Sequence, residues 1–269
     1  MTTNSLLSLR NEWEPCQKCV LGERRLSKNG SFVFGEGTVH GVMFIGDGPG
    51  ETDEEEGRPF VGQTGEVLRA VLQKYRFEHH YITNLVSCRS CTPLLDDAGL
   101  PRFRKGRYGA AIPLLRDETP TPEQQLACSA RLYEEIYLVD PVIIVALGAA
   151  AAEFLLKKPV AISRQRGKAA QCTIPGRVHQ AVLTEKKQVW ERRVNGVTVR
   201  PTRLNEVRYT VLPTLHPAYV LRKISDHGTD SPWSLFASDI KKAIQVHDLV
   251  RDNNTEEREN SNDSESITS

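Results

Sequence analysis

Four side chains that could hold a flat heterocyclic ring stand near the ends of short apolar segments. Asp47, Asn84 and His216 each lie at or just beyond the carboxyl end of such a segment, and Phe60 lies in the loop after the first. Parallel strands share one carboxyl edge, so the three polar side chains can converge there. Each residue also has an ordinary role open to it: core for Phe60, a turn cap for Asn84 and a strand end for His216.

The loop that contains Asp47 is rich in glycine but matches neither common phosphate-binding motif. Gly46-Asp-Gly-Pro-Gly50 follows its apolar segment directly, where open α/β sheets bind ligands. Its spacing is not that of the GxGxxG dinucleotide fingerprint. Gly57 and Gly62 have the spacing of a P-loop, but Gln63-Thr64 follows where lysine and serine or threonine are required. The loop therefore predicts a ligand site without identifying the ligand.

The cysteines indicate a metal or iron–sulfur site. They are Cys16, Cys19, Cys88, Cys91, Cys128 and Cys172. The first four form two CxxC pairs, which in a chain without a secretory signal are typical of metal or cluster ligands rather than of a disulfide scaffold. Cys172 is interpreted as an ordinary small buried side chain.

The elements that must position these residues alternate between strands and helices. Four short, β-branched apolar runs predict strands buried on both faces of a parallel sheet. These runs are Val42–Ile45, Tyr81–Val86, Val142–Leu147 and Tyr209–Leu215. Helical patterns cover residues 67–72, 122–139, 149–156 and 235–250. The alternation predicts an α/β protein, a three-layer α/β/α sandwich with a central four-stranded parallel sheet.

Two basic stretches, residues 92–120 and 174–208, are predicted to be insertions into a domain that spans residues 1–251. The second is expected to contain a hairpin around Asn195-Gly196, a dipeptide favoured in tight turns. The tail, residues 252–269, is polar and acidic and is predicted to be disordered.

Composition and charge exclude several classes of protein. Hydrophobic residues make up 39% of the 269 residues, enough for a sizeable core, and no apolar run could span a membrane. The N-terminus lacks the apolar region of a secretory signal, so we expect an intracellular, cytoplasmic protein. The net charge is only +1, but the acidic tail leaves the rest of the chain basic, which permits an anionic partner.

Longer motifs surround the candidate side chains and occur in a fixed order after Cys16-x2-Cys19. They are Gly46-Asp-Gly-Pro-Gly50, Gly57-Arg-Pro-Phe-Val-Gly62, Tyr81-Ile-Thr-Asn-Leu-Val-Ser-Cys-Arg89 and His216-Pro-Ala-Tyr-Val-Leu-Arg222. Together they resemble the motifs of the family 4, iron–sulfur uracil-DNA glycosylases, over about residues 13–89, 119–170 and 209–250. The resemblance implies the glycosylase fold and an enzyme of base excision repair, which hydrolyses the N-glycosidic bond of deoxyuridine in DNA and leaves an abasic site.

The resemblance also implies a role for each candidate. Phe60 would stack on a flipped uracil, while the Asn84 amide would donate to O4 and accept from N3–H, a pattern that cytosine reverses. His216 would donate to O2 as negative charge builds on the leaving base. Asp47 would orient water or stabilise the cationic sugar. Gly48, where another glycosylase family has its water-activating aspartate, would line the uracil site.

Uracil-containing DNA is thus the expected partner of a protein that acts as a monomer. Tyr219, Val220 and Leu221 would form a wedge that fills the vacated base stack, with Arg222 near a phosphate. The insertions have no counterpart in the family pattern, and the basic cluster of the first is expected to add phosphate contacts. This cluster consists of Arg102, Arg104, Lys105 and Arg107.

The family's ligands to a structural [4Fe-4S] cluster correspond to four cysteines of this chain. They are Cys16, Cys19, Cys88 and Cys128. In relatives the third and fourth ligands lie closer together in sequence, so Cys91 competes with Cys128, and a four-thiolate zinc site is the alternative. The thiolate ligand type favours the iron–sulfur cluster.

One departure from the family pattern leaves other functions open. Asp47 stands where the family usually has glutamate, so its carboxylate reaches one methylene less far. The first alternative is a glycosylase-like protein that binds DNA or a modified base with little or no turnover. The second is a zinc-dependent nucleic-acid-binding protein.

Overall fold

Helices and strands alternate along a chain whose computed structural model describes residues 2–105, 110–175, 192–194, 197–199 and 206–266. The helices are α1 (Thr2–Trp13), α2 (Val20–Ser27), α3 (Glu51–Glu56), α4 (Gln63–Lys74), α5 (Pro122–Val139), α6 (Ala149–Leu156), α7 (Ile162–Gln165), α8 (Pro217–Arg222) and α9 (Pro232–Ser266). The strands are β1 (Glu36–Gly37), β2 (Val42–Gly46), β3 (His80–Asn84), β4 (Cys91–Pro93), β5 (Phe103–Lys105), β6 (Ala111–Pro113), β7 (Leu115–Asp117), β8 (Ile143–Leu147), β9 (Ala170–Pro175), β10 (Arg192–Val194), β11 (Val197–Val199) and β12 (Glu206–Thr214).

Six strands form one mixed sheet in the order β1-β3-β2-β8-β12-β9. The central strands β3, β2, β8 and β12 are parallel to one another, whereas β1 and β9 pair antiparallel at the two edges. The four expected strands form the centre of this sheet, and among the described residues the two antiparallel edge strands extend the predicted four-stranded parallel sheet to six strands. The edge strands lack an apolar run, since β1 has two residues and β9 buries only alternate side chains.

The core has two parts, one on each face of the sheet. Side chains alternate along a strand, so Met43 and Ile45 of β2 belong to one apolar cluster, and Val42 and Phe44 belong to the other. Helices α1, α5 and α6 contribute to the first cluster, and α4 and α9 to the second. This arrangement confirms the α/β/α layers.

Helix α5 begins and ends where the sequence predicts. Thr121 Oγ1 accepts a hydrogen bond from Gln124 N at 3.4 Å, and Gln124 Oε1 accepts one from Thr121 N at 2.9 Å, with Pro122 in the first turn. At the other end Asp140 has a φ of +45°, a left-handed conformation that stops the helix.

The first insertion is a β-hairpin, in which β4 pairs with β7 and β5 with β6. The second predicted insertion, residues 174–208, overlaps the ends of β9 and β12, which pair from Glu206 with Pro175 onwards, and its bounds stay a prediction. Within it β10 pairs with β11, in agreement with the expected hairpin, although Asn195-Gly196 lies outside the described residues.

Helix α9 continues through residues 252–266. The prediction that the tail is disordered stays a prediction. After Pro232 this helix contains neither proline nor glycine, so nothing in its sequence stops it. Within the described part of the chain, no helix combines the length and the apolar character that a membrane span requires.

Candidate active site

Asp47 lies in the glycine loop that follows β2, at the carboxyl edge of the parallel strands. Its Oδ1 atom is buried and has no hydrogen-bond partner among the described residues. Burial raises the pKa of the carboxyl group to about 6, although a hydrogen bond with the backbone of Ala151 works in the opposite direction. At neutral pH Asp47 is therefore an ionised but poorly solvated carboxylate, which favours a nearby positive charge.

Phe60 and Asn84 meet over the last residue of β2, Gly46. A Cβ atom at position 46 would lie 2.4 Å from Phe60 Cζ and 2.6 Å from Asn84 Oδ1, so only glycine fits there. Asn84 is 2% exposed, and neither Oδ1 nor Nδ2 of its side chain has a partner among the described residues. An unpaired buried amide is costly, and a ligand with complementary hydrogen-bonding groups would offset that cost.

His216 is the N-cap residue of α8. Its Nδ1 atom accepts a hydrogen bond from the backbone N–H of Ala218 at 3.1 Å, so the neutral ring carries its proton on Nε2. Burial, with a smaller effect from the charge of Arg222, lowers the pKa of the imidazole to about 4. His216 is thus a neutral hydrogen-bond donor through Nε2 at physiological pH.

A cavity of about 390 Å³ brings most of the predicted residues together at this edge of the sheet. Its wall includes Asp47, Gly48, Phe60, His216 and Arg222. Asn84 is not part of the wall, but its amide adjoins the Phe60 ring at Gly46. Three of the four ring-binding candidates thus face one cavity and the fourth lies directly beside it.

Asp53 is a residue of the site that sequence reasoning missed. Its Oδ2 atom accepts a hydrogen bond from Gly50 N at 3.1 Å, and its Oδ1 atom accepts one from Val61 N at 2.8 Å. The buried carboxylate therefore ties the loop of Asp47 to the loop of Phe60. Asp53 is one member of an acidic run, and its place near the start of α3, after a glycine N-cap, was the available signal.

The returning strand of the first insertion also contributes to the cavity. Asp117, Glu118 and Thr119 line its wall. The buried Arg89 fixes Asp117 through a hydrogen bond from Nε to Oδ1 at 2.6 Å. No motif in the sequence indicated this contact, because the insertion has no regular pattern.

The basic cluster of the hairpin is only partly free to meet a nucleic acid. Arg102 and Lys105 are exposed, whereas Arg104 donates to Glu51 Oε1 at 3.1 Å. Arg107 lies outside the described residues.

The residues predicted to form a DNA wedge differ in exposure. Tyr219 is 42% exposed, and Arg222 is exposed in the last turn of α8. Leu221 is only partly exposed, because it packs against the second core cluster. Of the predicted apolar wedge, Tyr219 is therefore the side chain most available to a partner.

A second, much smaller pocket is lined by cysteines. They are Cys16, Cys19, Cys88 and Cys128. Cys91 lies outside this wall, and its Sγ accepts a hydrogen bond from Arg24 Nη1 at 2.8 Å. Burial raises the pKa of Cys88 to about 11, and the nearby Arg25 opposes that effect. Within the described ranges, no three histidine, cysteine or acidic side chains lie close enough together to hold a metal ion.

Comparisons with known proteins agree with this site and fold. A family model described as the uracil DNA glycosylase superfamily matches residues 34–237. The type-4 uracil-DNA glycosylase of Thermotoga maritima is 32% identical over 217 residues, covering 79% of this chain and 83% of that protein. The type-4 enzyme of Pyrobaculum aerophilum is 31% identical over 216 residues, with coverages of 79% and 83%. That of Sulfurisphaera tokodaii is 30% identical over 226 residues, with coverages of 81% and 76%.

The chain therefore belongs to the uracil-DNA glycosylase superfamily, and within it to the type-4 family. The resemblance inferred from the sequence motifs is confirmed.

Proposed function

We propose that this protein is an active uracil-DNA glycosylase, which hydrolyses the N-glycosidic bond of deoxyuridine in intracellular DNA and leaves an abasic site. The observation that carries the proposal is the buried amide of Asn84 beside the Phe60 ring, which has no hydrogen-bond partner in the described part of the chain. A flipped uracil offers the acceptor O4 and the donor N3–H, which complement Nδ2 and Oδ1 of that amide. Because cytosine reverses both groups, the same amide rejects it.

Bond cleavage in this proposal uses two further side chains. The bond between C1′ of the sugar and N1 of uracil breaks, and its electron pair leaves with the base. His216 donates through Nε2–H to uracil O2, where part of the negative charge gathers. Asp47 stabilises the positive charge on the sugar and holds the water whose oxygen bonds to C1′. The proton that this water loses passes to the Asp47 carboxylate, and the departing uracil anion takes up a proton from solvent. Neither step requires redox chemistry, and the strand stays intact because no lysine lines the cavity among the residues that the structure describes.

We infer that the four cysteines of the small pocket hold a structural [4Fe-4S] cluster, with Cys128 rather than Cys91 as fourth ligand. The donor set suits such a cluster, since all four cysteines line one pocket, whereas Cys91 Sγ accepts a hydrogen bond from Arg24. Because the described thiols do not form a compact ligand set, the assignment rests on the ligand type and on the pocket that the four cysteines share. A bound cluster would tie the N-terminal segment to the core.

DNA contact is assigned to the surface around the large cavity. Tyr219 would fill the space that the flipped base leaves, supported by Leu221, and Arg222 would meet a phosphate. The hairpin would add phosphate contacts through the basic cluster, which consists of Arg102, Arg104, Lys105 and Arg107. Arg104 would contribute less than Arg102 because Glu51 already neutralises it. We expect the protein to act as a monomer.

The decisive experiment is excision from end-labelled oligonucleotides that contain one uracil, hypoxanthine, hydroxymethyluracil or cytosine. We expect an abasic site at uracil and none at cytosine. The control is the double variant Asp47→Asn with His216→Gln, which should retain binding while excision is lost. Tight uracil-DNA binding by the parent without release of the base would overturn the proposal in favour of a non-catalytic binding protein. Zinc in place of iron in the purified protein would support the zinc-dependent alternative.

A further inference from the structure

Arg131 of α5 is fully buried and has no part in the chemistry above. Its Nη2 atom donates hydrogen bonds to the main-chain carbonyl oxygens of Asn84 and Leu85, both at 2.7 Å. The same nitrogen lies 3.6 Å from Cys128 Sγ. One guanidinium group therefore contacts both the residue that would read the base and a cysteine of the small pocket.

The two carbonyl contacts fix the point where β3 ends. Successive carbonyl groups of an extended strand point to opposite sides, so two neighbouring carbonyls on one nitrogen require the backbone to turn. That turn occurs at Asn84–Leu85, directly after the last residue of β3. On the other side, Leu85 N donates to Gly46 O at 2.8 Å. The backbone from which the Asn84 side chain projects is thus held from both sides.

A buried carboxylate balances the charge of Arg131. Glu135 forms an ion pair with it and also accepts hydrogen bonds from Tyr81 Oη at 2.9 Å and Thr83 Oγ1 at 3.1 Å. Buried ion pairs contribute little to stability compared with well-packed apolar side chains. Stability alone therefore gives a weak reason for this arginine, whereas the position of Asn84 gives a specific one.

We propose that Arg131 is a positioning residue for base recognition, which holds the Asn84 amide in its reading position and links it to the cysteine pocket through Cys128. The inference rests on the proposed function, because it assigns Asn84 to uracil. Arg131→Lys keeps the charge but cannot donate to two carbonyl groups with the same geometry. Displacement of a recognition group by about 1 Å costs on the order of a hundredfold in rate.

The test compares Arg131→Lys with a matched control, Arg166→Lys. Arg166 also donates to a main-chain carbonyl, that of Leu235, at 2.6 Å and pairs with the buried Asp239 at 2.9 Å. It is not part of the cavity wall. The measurements are kcat/KM for uracil, the ratio of uracil to cytosine excision, the Tm, iron content, and the Asn84 side-chain amide resonance during titration with free uracil.

We expect Arg131→Lys to lower kcat/KM for uracil about a hundredfold, reduce the uracil-to-cytosine ratio and shift the Asn84 amide resonance. Both variants should lower the Tm, because each weakens an ion pair with a buried carboxylate. Arg166→Lys should nevertheless leave kcat/KM within threefold of the parent. An equal loss of kcat/KM in the two variants would show that Arg131 only stabilises the fold. An unshifted Asn84 resonance in Arg131→Lys would also overturn the proposal.

A double variant, Arg131→Met with Glu135→Gln, serves if Arg131→Lys does not fold. It removes both charges and leaves a glutamine oxygen for Tyr81. It should show the same loss of discrimination. The resonance measurement also separates the two proposals. If the parent never excises uracil, the proposed function is wrong, but the Asn84 resonance still reports whether Arg131 positions the amide.

Discussion

The large cavity and the cysteine-lined pocket are built in opposite ways. The larger one, of about 390 Å³, is next to Asp47 Oδ1 and the Asn84 amide, buried polar groups without a hydrogen-bond partner among the described residues. The smaller one, of about 20 Å³, is walled by apolar side chains such as Trp13 and Phe32 together with four cysteines. Burial of polar atoms without partners costs free energy, and a ligand that forms hydrogen bonds with them offsets that cost. Such atoms therefore indicate a site that binds a substrate reversibly. A small apolar pocket lined by cysteines suits a permanently bound structural cofactor.

The largest effect should follow from a change of the base-reading amide. Asn84→Asp replaces the donor that faces uracil O4 by an acceptor, and loss of a buried hydrogen-bond match costs about ten-thousandfold in discrimination at comparable sites. We expect uracil excision to fall by roughly that factor and cytosine excision to become detectable, as measured by single-turnover kinetics. Asn84→Gln keeps both groups on a longer side chain and is the matched control. Uracil excision at the parent rate in the aspartate variant would show that Asn84 does not read the base.

Asp47 should have the next largest effect, with a characteristic pH dependence. The pKa of this carboxyl group is raised to about 6, so protonation removes its charge as the pH falls through that value. We expect kcat/KM to rise with pH up to about 6 and then level off, because His216, with a pKa lowered to about 4, stays neutral throughout. Asp47→Asn should lower the rate about a hundredfold and abolish the inflection.

A companion variant tests the length of the side chain at position 47. Asp47→Glu should match or exceed the parent rate if the shorter aspartate limits the reach of the carboxylate. Excision by Asp47→Asn at the parent rate, with the inflection intact, would remove Asp47 from the mechanism.

Changes in the small pocket should affect cofactor content more than excision. Cys128→Ala removes a thiol from the pocket wall and is expected to lose the iron and the brown colour. Cys91→Ala leaves the wall unchanged and should retain both. Iron analysis and visible absorption decide between them. The reverse result would make Cys91 the fourth ligand, and a zinc-loaded parent would remove the cluster.

The smallest effect is expected from the hairpin. Replacement of Arg102, Arg104, Lys105 and Arg107 by glutamine should weaken DNA binding and flatten its dependence on salt, by about one unit of log–log slope for each lost phosphate contact. Base choice should not change, because Asp117 to Thr119, the part of this insertion that lines the cavity, stays intact.

The matched control for the hairpin is Lys74→Gln with Arg76→Gln. Both side chains are exposed at the end of α4 far from Thr64, which lies on the cavity wall. The salt slope of the control should equal that of the parent. An unchanged slope in the hairpin variant would show that this cluster does not contact DNA.

The sequence by itself determined the central strands and most of the cavity. Asp47 and His216 lie just beyond continuous apolar runs, and the ends of parallel strands necessarily share one edge, whereas Phe60 was found through the motif of the loop that contains it. Local signals of this kind depend on a few neighbouring residues. The first and last residues of α5 could be predicted for the same reason, because residues next to them set the ends of the helix. The sequence did not indicate the edge strands β1 and β9, because neither has an apolar run.

Only the tertiary structure decided how the site is held together. Asp53 joins two loops, Asp117 closes the cavity from an insertion, and Arg131 contacts Asn84 from a helix 47 positions away. The sequence motifs favour Cys128 over Cys91, and among the described residues Cys128 lines the same pocket as Cys16, Cys19 and Cys88, whereas Cys91 does not. A buried charge or thiol is stable only if its partners are in place, and those partners lie at distant positions in the chain. Their identity therefore follows from packing rather than from any local pattern.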